Sequence, residues 1–203
     1  MDSFFEQLKH PNPNIRERAM VDIIDNRDET TIPRLMSALD AEDTVYRRAA
    51  VKTLGAVGVD AVPAIVEALG SSENVTVRGS CAKALAQVAL YYPDEPFPEI
   101  GLQGLKRSLN DPNPVVHIAS AMALGEIGNA ALDILLETLQ TTDNLALSVS
   151  IVNALASVGG DQAVEVLTNL AEDETADGYV KETAVSALSR MEMVQKYSRS
   201  KQE

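Results

Sequence analysis

Three segments decide the fold: VYRRAAVKTLGAVG at residues 45–58, VRGSCAKALAQVA at 77–89 and VHIASAMALGEIG at 116–128. In each segment an aliphatic residue comes shortly before a basic one, and small residues and leucine follow at helical spacing. Three weaker copies are NIRERAM at 14–20, LSVSIVNALASVG at 147–159 and VKETAVSALSRM at 180–191. A unit that recurs six times along one chain indicates a repeat protein.

The period of the repeat indicates its type. The equivalent residues of the six copies, called anchors below, are Arg16, Arg47, Arg78, His117, Ser148 and Lys181. They are separated by 31, 31, 39, 31 and 33 residues, close to the period of HEAT-type helical hairpins. Ala50, Leu54 and Val57 follow one anchor at i, i+4 and i+7, which marks one apolar helical face.

These patterns predict an all-α fold, a right-handed α-solenoid of about five to six HEAT-like helical hairpin repeats. Residues 1–197 are expected to form one domain, and residues 198–203 a flexible C-terminal tail.

The 39-residue interval contains an insertion that includes YYPDEPFP at residues 91–98. Three prolines within six residues oppose a helix, so this segment is predicted to be a loop. Tyr91, Tyr92 and Phe97 could contact a ligand or partner there. The alternative is a longer turn whose rings cover the adjacent core.

Charge is unevenly distributed along the chain. The formal net charge is −13, residues 108–180 contain 11 acidic residues and no lysine or arginine, and residues 1–107 contain 12 basic and 16 acidic residues. A nucleic-acid partner is therefore not expected.

No apolar stretch approaches the length of a membrane span, and the N-terminus lacks a signal-peptide layout, so we expect a cytoplasmic protein, or a plastid one if the source is an alga.

No catalytic or metal-binding motif is present. The chain has two histidines, in the contexts His10-Pro11 and His117-Ile118, and lacks a glycine-rich phosphate loop, CxxC and HExxH. The single cysteine, Cys81, occupies a position that is alanine or serine in other copies, which predicts an inert, packed thiol.

The anchors Arg16, Arg47 and Arg78 have two interpretations. They could hold the repeats together by bonding to acidic or carbonyl groups of the adjacent repeat, or they could bind carboxylates of a ligand, with Arg48 and Tyr46 beside them. Further along, the anchors become His117 and Ser148, so we expect Asp111 and Asp143 to form an acidic patch. Such a patch would either solubilise the protein or bind a basic partner.

The N-terminal helix is a further candidate surface. Terminal repeats expose a face that interior repeats bury, and Phe4 and Phe5 are adjacent there. One ring is expected to pack inward and the other to face outward, where a partner could dock.

The chain resembles the HEAT-repeat phycobilin lyases of the E/F type. The resemblance covers nearly the whole chain, including FEQLKHPNPNIRERAM at 5–20, VTVRGSCAKALAQVA at 75–89, LNDPNPVVHIASAMALGEIG at 109–128 and LQTTDNLAL at 139–147. Within the family it is most similar to the shorter, Z-type members associated with phycoerythrin.

The resemblance implies assistance in attaching phycoerythrobilin to a cysteine of a phycoerythrin subunit. The shorter member would be an accessory, chaperone-like subunit that binds the acceptor and a longer E/Y-type lyase partner, with phycoerythrobilin as a transient ligand rather than a tightly bound cofactor. No catalytic residue is implied. Bilin contacts would then fall on Tyr46, Arg47, Arg48, Arg78, Tyr91 and Tyr92, and partner contacts on Phe4, Phe5, Phe97, Asp111 and Asp143.

Two alternatives remain open from the sequence. The chain could be an autonomous bilin lyase with its own bilin site, or a general HEAT adaptor that binds a basic partner helix.

Overall fold

The computed structural model describes residues 1–200, without the side chains of Gln195 and residues 198–200. The described residues form twelve α-helices and no strand. The helices are α1 Asp2–Gln7, α2 Pro13–Asp25, α3 Thr31–Ser37, α4 Thr44–Val57, α5 Val62–Ser71, α6 Val75–Tyr91, α7 Glu99–Ser108, α8 Pro114–Ile127, α9 Leu132–Thr141, α10 Leu145–Val158, α11 Gly160–Glu172 and α12 Gly178–Ser200. The predicted all-α repeat fold is confirmed.

By its contacts the chain divides into two compact units, Met1–Ser120 and a second unit that begins at Ala121. In the first unit, α2, α4 and α6 pack side by side, and so do α3, α5 and α7. The helices of one hairpin also pack on each other, as in α3 with α4 and α5 with α6. The unit therefore consists of two helical layers with a core between them.

The second unit has the same construction. Helix α10 packs on α9, α11 and α12, and α11 packs along α12. The boundary between the units falls within α8.

The apolar faces predicted from the anchors lie in this core. Ala50 and Leu54 are fully buried and Val57 nearly so. In the fourth copy, Ser120 and Leu124 are fully buried as well. Because alanine, serine and glycine occupy so many of these positions, neighbouring helices approach closely. A methyl group added at Gly55 of α4 would lie 2.2 Å from the Gln87 Cβ of α6.

Each anchor-bearing helix begins in the same way. An asparagine or aspartate four residues before the anchor caps it, and its side-chain oxygen accepts a backbone N–H of the first turn at 2.8–3.1 Å. The six caps are Asn12, Asp43, Asn74, Asn113, Asn144 and Asp177. This regular Asn/Asp position is a sequence signal that the anchors alone did not reveal.

Three of these helices end at a glycine eleven residues after the anchor. Gly58, Gly128 and Gly159 have φ values of 83°, 80° and 72°, and residues other than glycine rarely adopt such positive values. Since positive φ interrupts an α-helix, α4 and α5, and likewise α8 and α9, are separate helices joined through a 3-10 turn.

These joined pairs bear on the expectation that the chain has no membrane span. Residues Thr44–Ser71 and Pro114–Thr141 are each long and apolar enough to satisfy a membrane-span criterion. However, 72% and 50% of their apolar windows are buried inside the protein, and a glycine turn divides each of them. They are therefore core helix pairs and give no evidence of a membrane span.

Helix α12 is assigned as far as Ser200. The predicted flexible tail of residues 198–203 includes residues 201–203, which lie outside the described residues, and it stays a prediction.

Candidate functional site

The three anchor arginines close their own hairpins. Each Nη1 donates to carbonyl groups in the turn that precedes its helix, five or six residues earlier. The acceptors are His10 and Pro11 for Arg16 (2.6 and 2.8 Å), Ala41 for Arg47 (2.5 Å), and Ser72 and Glu73 for Arg78 (2.9 and 3.2 Å). These bonds support a structural role for the arginines, but Arg16 and Arg47 bond within their own hairpin and not to the adjacent repeat.

Arg78 also forms an ion pair with Asp111 of the next hairpin. Its Nε and Nη2 donate to the two carboxylate oxygens at 2.7 and 3.0 Å, and both side chains are largely buried. The hydrogen bonds raise the pKa of Arg78 and lower the pKa of Asp111. Arg78 is therefore engaged rather than presented to a propionate, and Asp111 does not belong to an exposed acidic patch.

Asp143, the other residue of the expected acidic patch, has different surroundings. Asp143 is exposed at the turn before α10. In the fourth repeat, His117 replaces the arginine and is buried, and its Nε2 has no hydrogen-bond partner among the described residues. Asp111 and Asp143 thus have unlike surroundings.

A first groove lies between α2 and α4. It has a volume of about 250 Å³, an apolar floor that includes Met20 and Ala49, and a charged rim. On that rim, Lys52 Nζ binds both carboxylate oxygens of Glu17 at 2.8 and 2.9 Å, which raises the pKa of Lys52. Arg48 lines the groove, is exposed and forms no ion pair with a described residue.

The aromatic residues of the insertion pack against the first unit. Residues 92–98 between α6 and α7 form a loop, as predicted, whereas Tyr91, which was predicted to belong to the loop, is the last residue of α6. The Tyr91 hydroxyl lies 3.5 Å from the Met20 sulfur, and burial raises its pKa. Tyr92 donates its hydroxyl to the Ala56 carbonyl at 2.7 Å, and Phe97 covers Gly101. The loop rings are thus half-buried contacts of the core, which favours the structural alternative.

The N-terminal helix is held by ring contacts. Phe5 is buried under the Arg34 guanidinium, 3.9 Å from the ring centre, and Arg34 also binds Asp2 at 2.9 Å. Phe5 packs inward, as expected for one of the two rings, and Phe4 is half-buried. Phe5 is therefore a core residue and not a surface for a partner.

Tyr46 is likewise part of the packing at this end. The ammonium group of Lys9 lies 5.2 Å from its ring centre, and burial raises the pKa of the phenol. Two of the six predicted bilin contacts lie near one groove: Arg48 presents an exposed side chain to the α2–α4 groove, and Tyr91 contacts Met20 of that groove. The structure does not bring all six residues into one site, since Arg78 and Tyr92 bond to Asp111 and Ala56.

A second, larger groove lies within the second unit, between α10 and α12. Its volume is about 710 Å³, and its wall combines Glu126, Asn153 and Arg190 with apolar residues of both helices. Arg190 Nη2 donates to Asn153 Oδ1 at 2.6 Å. The sequence did not single out this groove, because its polar residues are 27 and 37 residues apart and match no motif.

Cys81 is fully buried in α6, and burial raises the pKa of its thiol to about 12. The predicted packed position is confirmed.

Among the described residues, no cluster of histidine, cysteine, aspartate and glutamate has the arrangement of a metal site.

Comparison with known proteins identifies the family. Residues 1–86 and 102–189 match the model for HEAT repeats. The chain is 58% identical over 200 residues to the uncharacterized phycocyanin operon protein Z of Pseudanabaena tenuis, covering 98% of this chain and 99% of the relative. The chain belongs to this family of HEAT-repeat Z proteins.

A second relative of this family has a name that refers to bilins. The bilin biosynthesis protein CpeZ of a Synechococcus species is 31% identical over 178 residues, which cover 85% of this chain and 95% of the relative.

A solved structure has a similar fold. It is that of the CpcE–CpcF complex of phycocyanin lyase from Nostoc, and the match covers 75% of this chain and 96% of the other, with a TM-score of 0.50. At 19% identity this likeness shows the fold alone.

Proposed function

We propose that this protein assists the attachment of phycoerythrobilin to a cysteine of a phycoerythrin subunit, as an accessory subunit. It would bind the acceptor subunit and a longer E/Y-type lyase chain, and would meet the bilin as a transient ligand. The observation that carries this proposal is the 31% identity to a bilin biosynthesis protein over 95% of that protein's length.

The chemistry of the chain supports an accessory role over an autonomous lyase that holds its bilin covalently. A thiol must be exposed and deprotonated to attack a bilin, whereas Cys81 is fully buried with a pKa of about 12. A helical repeat protein can instead align an acceptor thiol and a bilin on its surface, and this proximity accelerates the reaction between them.

Coexpression tests the proposal. A phycoerythrin subunit and a source of phycoerythrobilin would be produced with neither helper, with this chain, with the longer lyase chain, or with both. We expect this chain alone to increase the soluble acceptor, and both chains together to give more covalent bilin than the lyase alone. Bilin fluorescence on a denaturing gel and the yield of soluble acceptor are the two measurements.

The choice of acceptor requires a separate set of coexpressions, because the relative at 58% identity is named after a phycocyanin operon. The same four combinations with a phycocyanin subunit should show a smaller effect of this chain. Equal bilin attachment in all four combinations with both acceptors would contradict the accessory role, and attachment by this chain alone would instead indicate an autonomous lyase.

A further inference from the structure

The three glycine turns have different surroundings: an aromatic ring covers Gly58, whereas the space above Gly128 and Gly159 is open among the described residues, and Gly159 lines the α10–α12 groove. Gly58 after α4 and Gly159 after α10 both lie eleven residues beyond their anchor, with φ/ψ of 83°/−148° and 72°/−160°. Because their backbone conformations match, the space above one can be compared directly with the space above the other.

In the first unit this space is filled by an aromatic ring. The ring of Tyr92 lies over Gly58, 2.8 Å from where a Cβ atom would be, and its hydroxyl donates to the Ala56 carbonyl. In the second unit no described atom lies within 4 Å of the corresponding point above Gly159. The counterpart of Ala56 there is Ser157, which lines the open groove. The fold itself therefore shows that a flat ring with a hydrogen-bond donor fits above such a turn.

The polar groups of the groove indicate what else a ligand would carry. Arg190 is the one lysine or arginine among the residues that line it, and Asn153 orients its guanidinium while leaving other donors available. A guanidinium suits a carboxylate, and the carboxylate of Glu126 can accept ring N–H groups. Ala156, Met191 and Val194 supply apolar surface between these charges.

We propose that the α10–α12 groove is a non-covalent binding site for a linear tetrapyrrole. One pyrrole ring lies over Gly159, a propionate binds Arg190, and ring N–H groups face Glu126. The assignment rests on the proposed function, because the accessory role brings a bilin to this chain. It differs from the set of arginines and tyrosines expected from the sequence, most of which bond to other parts of the fold.

Size supports this groove over the one between α2 and α4. Sites for ligands of this kind generally have volumes of about 300–1,000 Å³. The α10–α12 groove, at about 710 Å³, lies within that range, whereas the α2–α4 groove, at about 250 Å³, does not.

A binding titration with three arginine variants tests the site. Purified full-length protein is titrated with phycoerythrobilin, and binding is followed by the change in its visible absorbance. We expect Arg190→Gln to raise the Kd about tenfold or more, since a charged hydrogen bond is lost. Arg48→Gln in the α2–α4 groove and Arg107→Gln at an exposed position of α7 should each change the Kd less than twofold.

The bilin dimethyl ester provides a matched test from the ligand side. The ester lacks the carboxylate charges, so it should bind the wild-type protein about as weakly as the acid binds Arg190→Gln, and Arg190→Gln should weaken ester binding little further. Such non-additivity is the signature of a direct contact.

A steric variant removes the ring site without removing a charge. Ser157→Trp would place an indole in the groove and should abolish binding, whereas Ser189→Trp, at an exposed position of α12 that does not line the groove, should not. Circular dichroism confirms that both variants fold.

The site is overturned if the wild-type protein shows no saturable absorbance change, or if Arg48→Gln loses binding while Arg190→Gln and Ser157→Trp keep it. These outcomes are separable from the proposed function. If the protein increases bilin attachment in coexpression but binds no bilin itself, the groove is not a bilin site and the accessory role stands. If bilin binds at Arg190 but coexpression shows no effect on attachment, the groove is a bilin site and the accessory role is wrong.

Discussion

At the scale of single residues, the ion pair between Arg78 and Asp111 gives the sharpest expectation. Its two hydrogen bonds are largely shielded from water, so removing one partner leaves the other charge poorly compensated. We predict that Asp111→Asn lowers the free energy of unfolding by about 2 kcal/mol at pH 7, as for a lost charged hydrogen bond. Urea denaturation measures this, and Asp143→Asn, at an exposed turn, is the control with an expected effect near zero.

The same pair predicts a pH dependence. Because the pKa of Asp111 is lowered in the folded protein, its contribution is fully present above the unfolded pKa of about 4 and is lost as the pH falls through the lowered folded value. The stability difference between wild type and Asp111→Asn should therefore be constant from pH 7 to about pH 5 and shrink below about pH 4. A difference that stayed constant at low pH would show that the carboxylate charge is not involved.

The thiol of Cys81 should be unreactive in the folded protein. A buried thiol with a pKa of about 12 is almost entirely protonated at pH 8. We expect no labelling by a thiol-specific reagent in native buffer and complete labelling in concentrated urea. Cys81→Ala should keep full activity in coexpression. Rapid native labelling would show that the helix opens around this position.

At the scale of helices, the contact between α4 and α6 depends on the absence of a side chain. At Gly55 a methyl group would lie 2.2 Å from the Gln87 Cβ and 2.9 Å from its carbonyl carbon, so the two helices would have to separate. We predict that Gly55→Ala lowers the free energy of unfolding by about 1–3 kcal/mol, the range for overpacked cores.

Gly70 on α5 is a matched control for this substitution. A methyl group there would meet nothing within 4 Å, and alanine favours a helix over glycine. Gly70→Ala should therefore raise the free energy of unfolding by up to about 1 kcal/mol. If both variants shifted the urea midpoint in the same direction, helix propensity rather than packing would control both positions.

At the scale of the whole molecule, the sequence predicts repeats better than sites. The anchors and small residues define the core of a hairpin locally, so Ala50 and Leu54 were placed correctly. The sequence suggested that Arg78 bonds to an acidic or carbonyl group, but it could not identify Asp111, because this residue lies 33 positions away and the pairing depends on how two hairpins stack. The groove at Arg190 was missed for the same reason, since Glu126, Asn153 and Arg190 belong to three different helices.

Charge gives a prediction at this scale. Residues 108–180 contain 11 acidic residues and no lysine or arginine, so their mutual repulsion opposes folding. Raising sodium chloride from about 0.02 to 0.3 M shortens the screening distance severalfold and should stabilise the protein. Thermal denaturation at the two concentrations measures this. A lower melting temperature at high salt would mean that favourable ion pairs outweigh the repulsion.

The short reach of the anchor arginines has a consequence for synthesis. Arg16 and Arg47 bond to carbonyl groups only five or six residues earlier, so everything that closes these turns has left the ribosome when the arginine itself emerges. Contacts close in sequence also form fast, because little loop entropy is lost. The early hairpins can therefore fold one after another during translation, each providing a surface for the next. Arg78 alone of the three must wait for a carboxylate that is made 33 residues later.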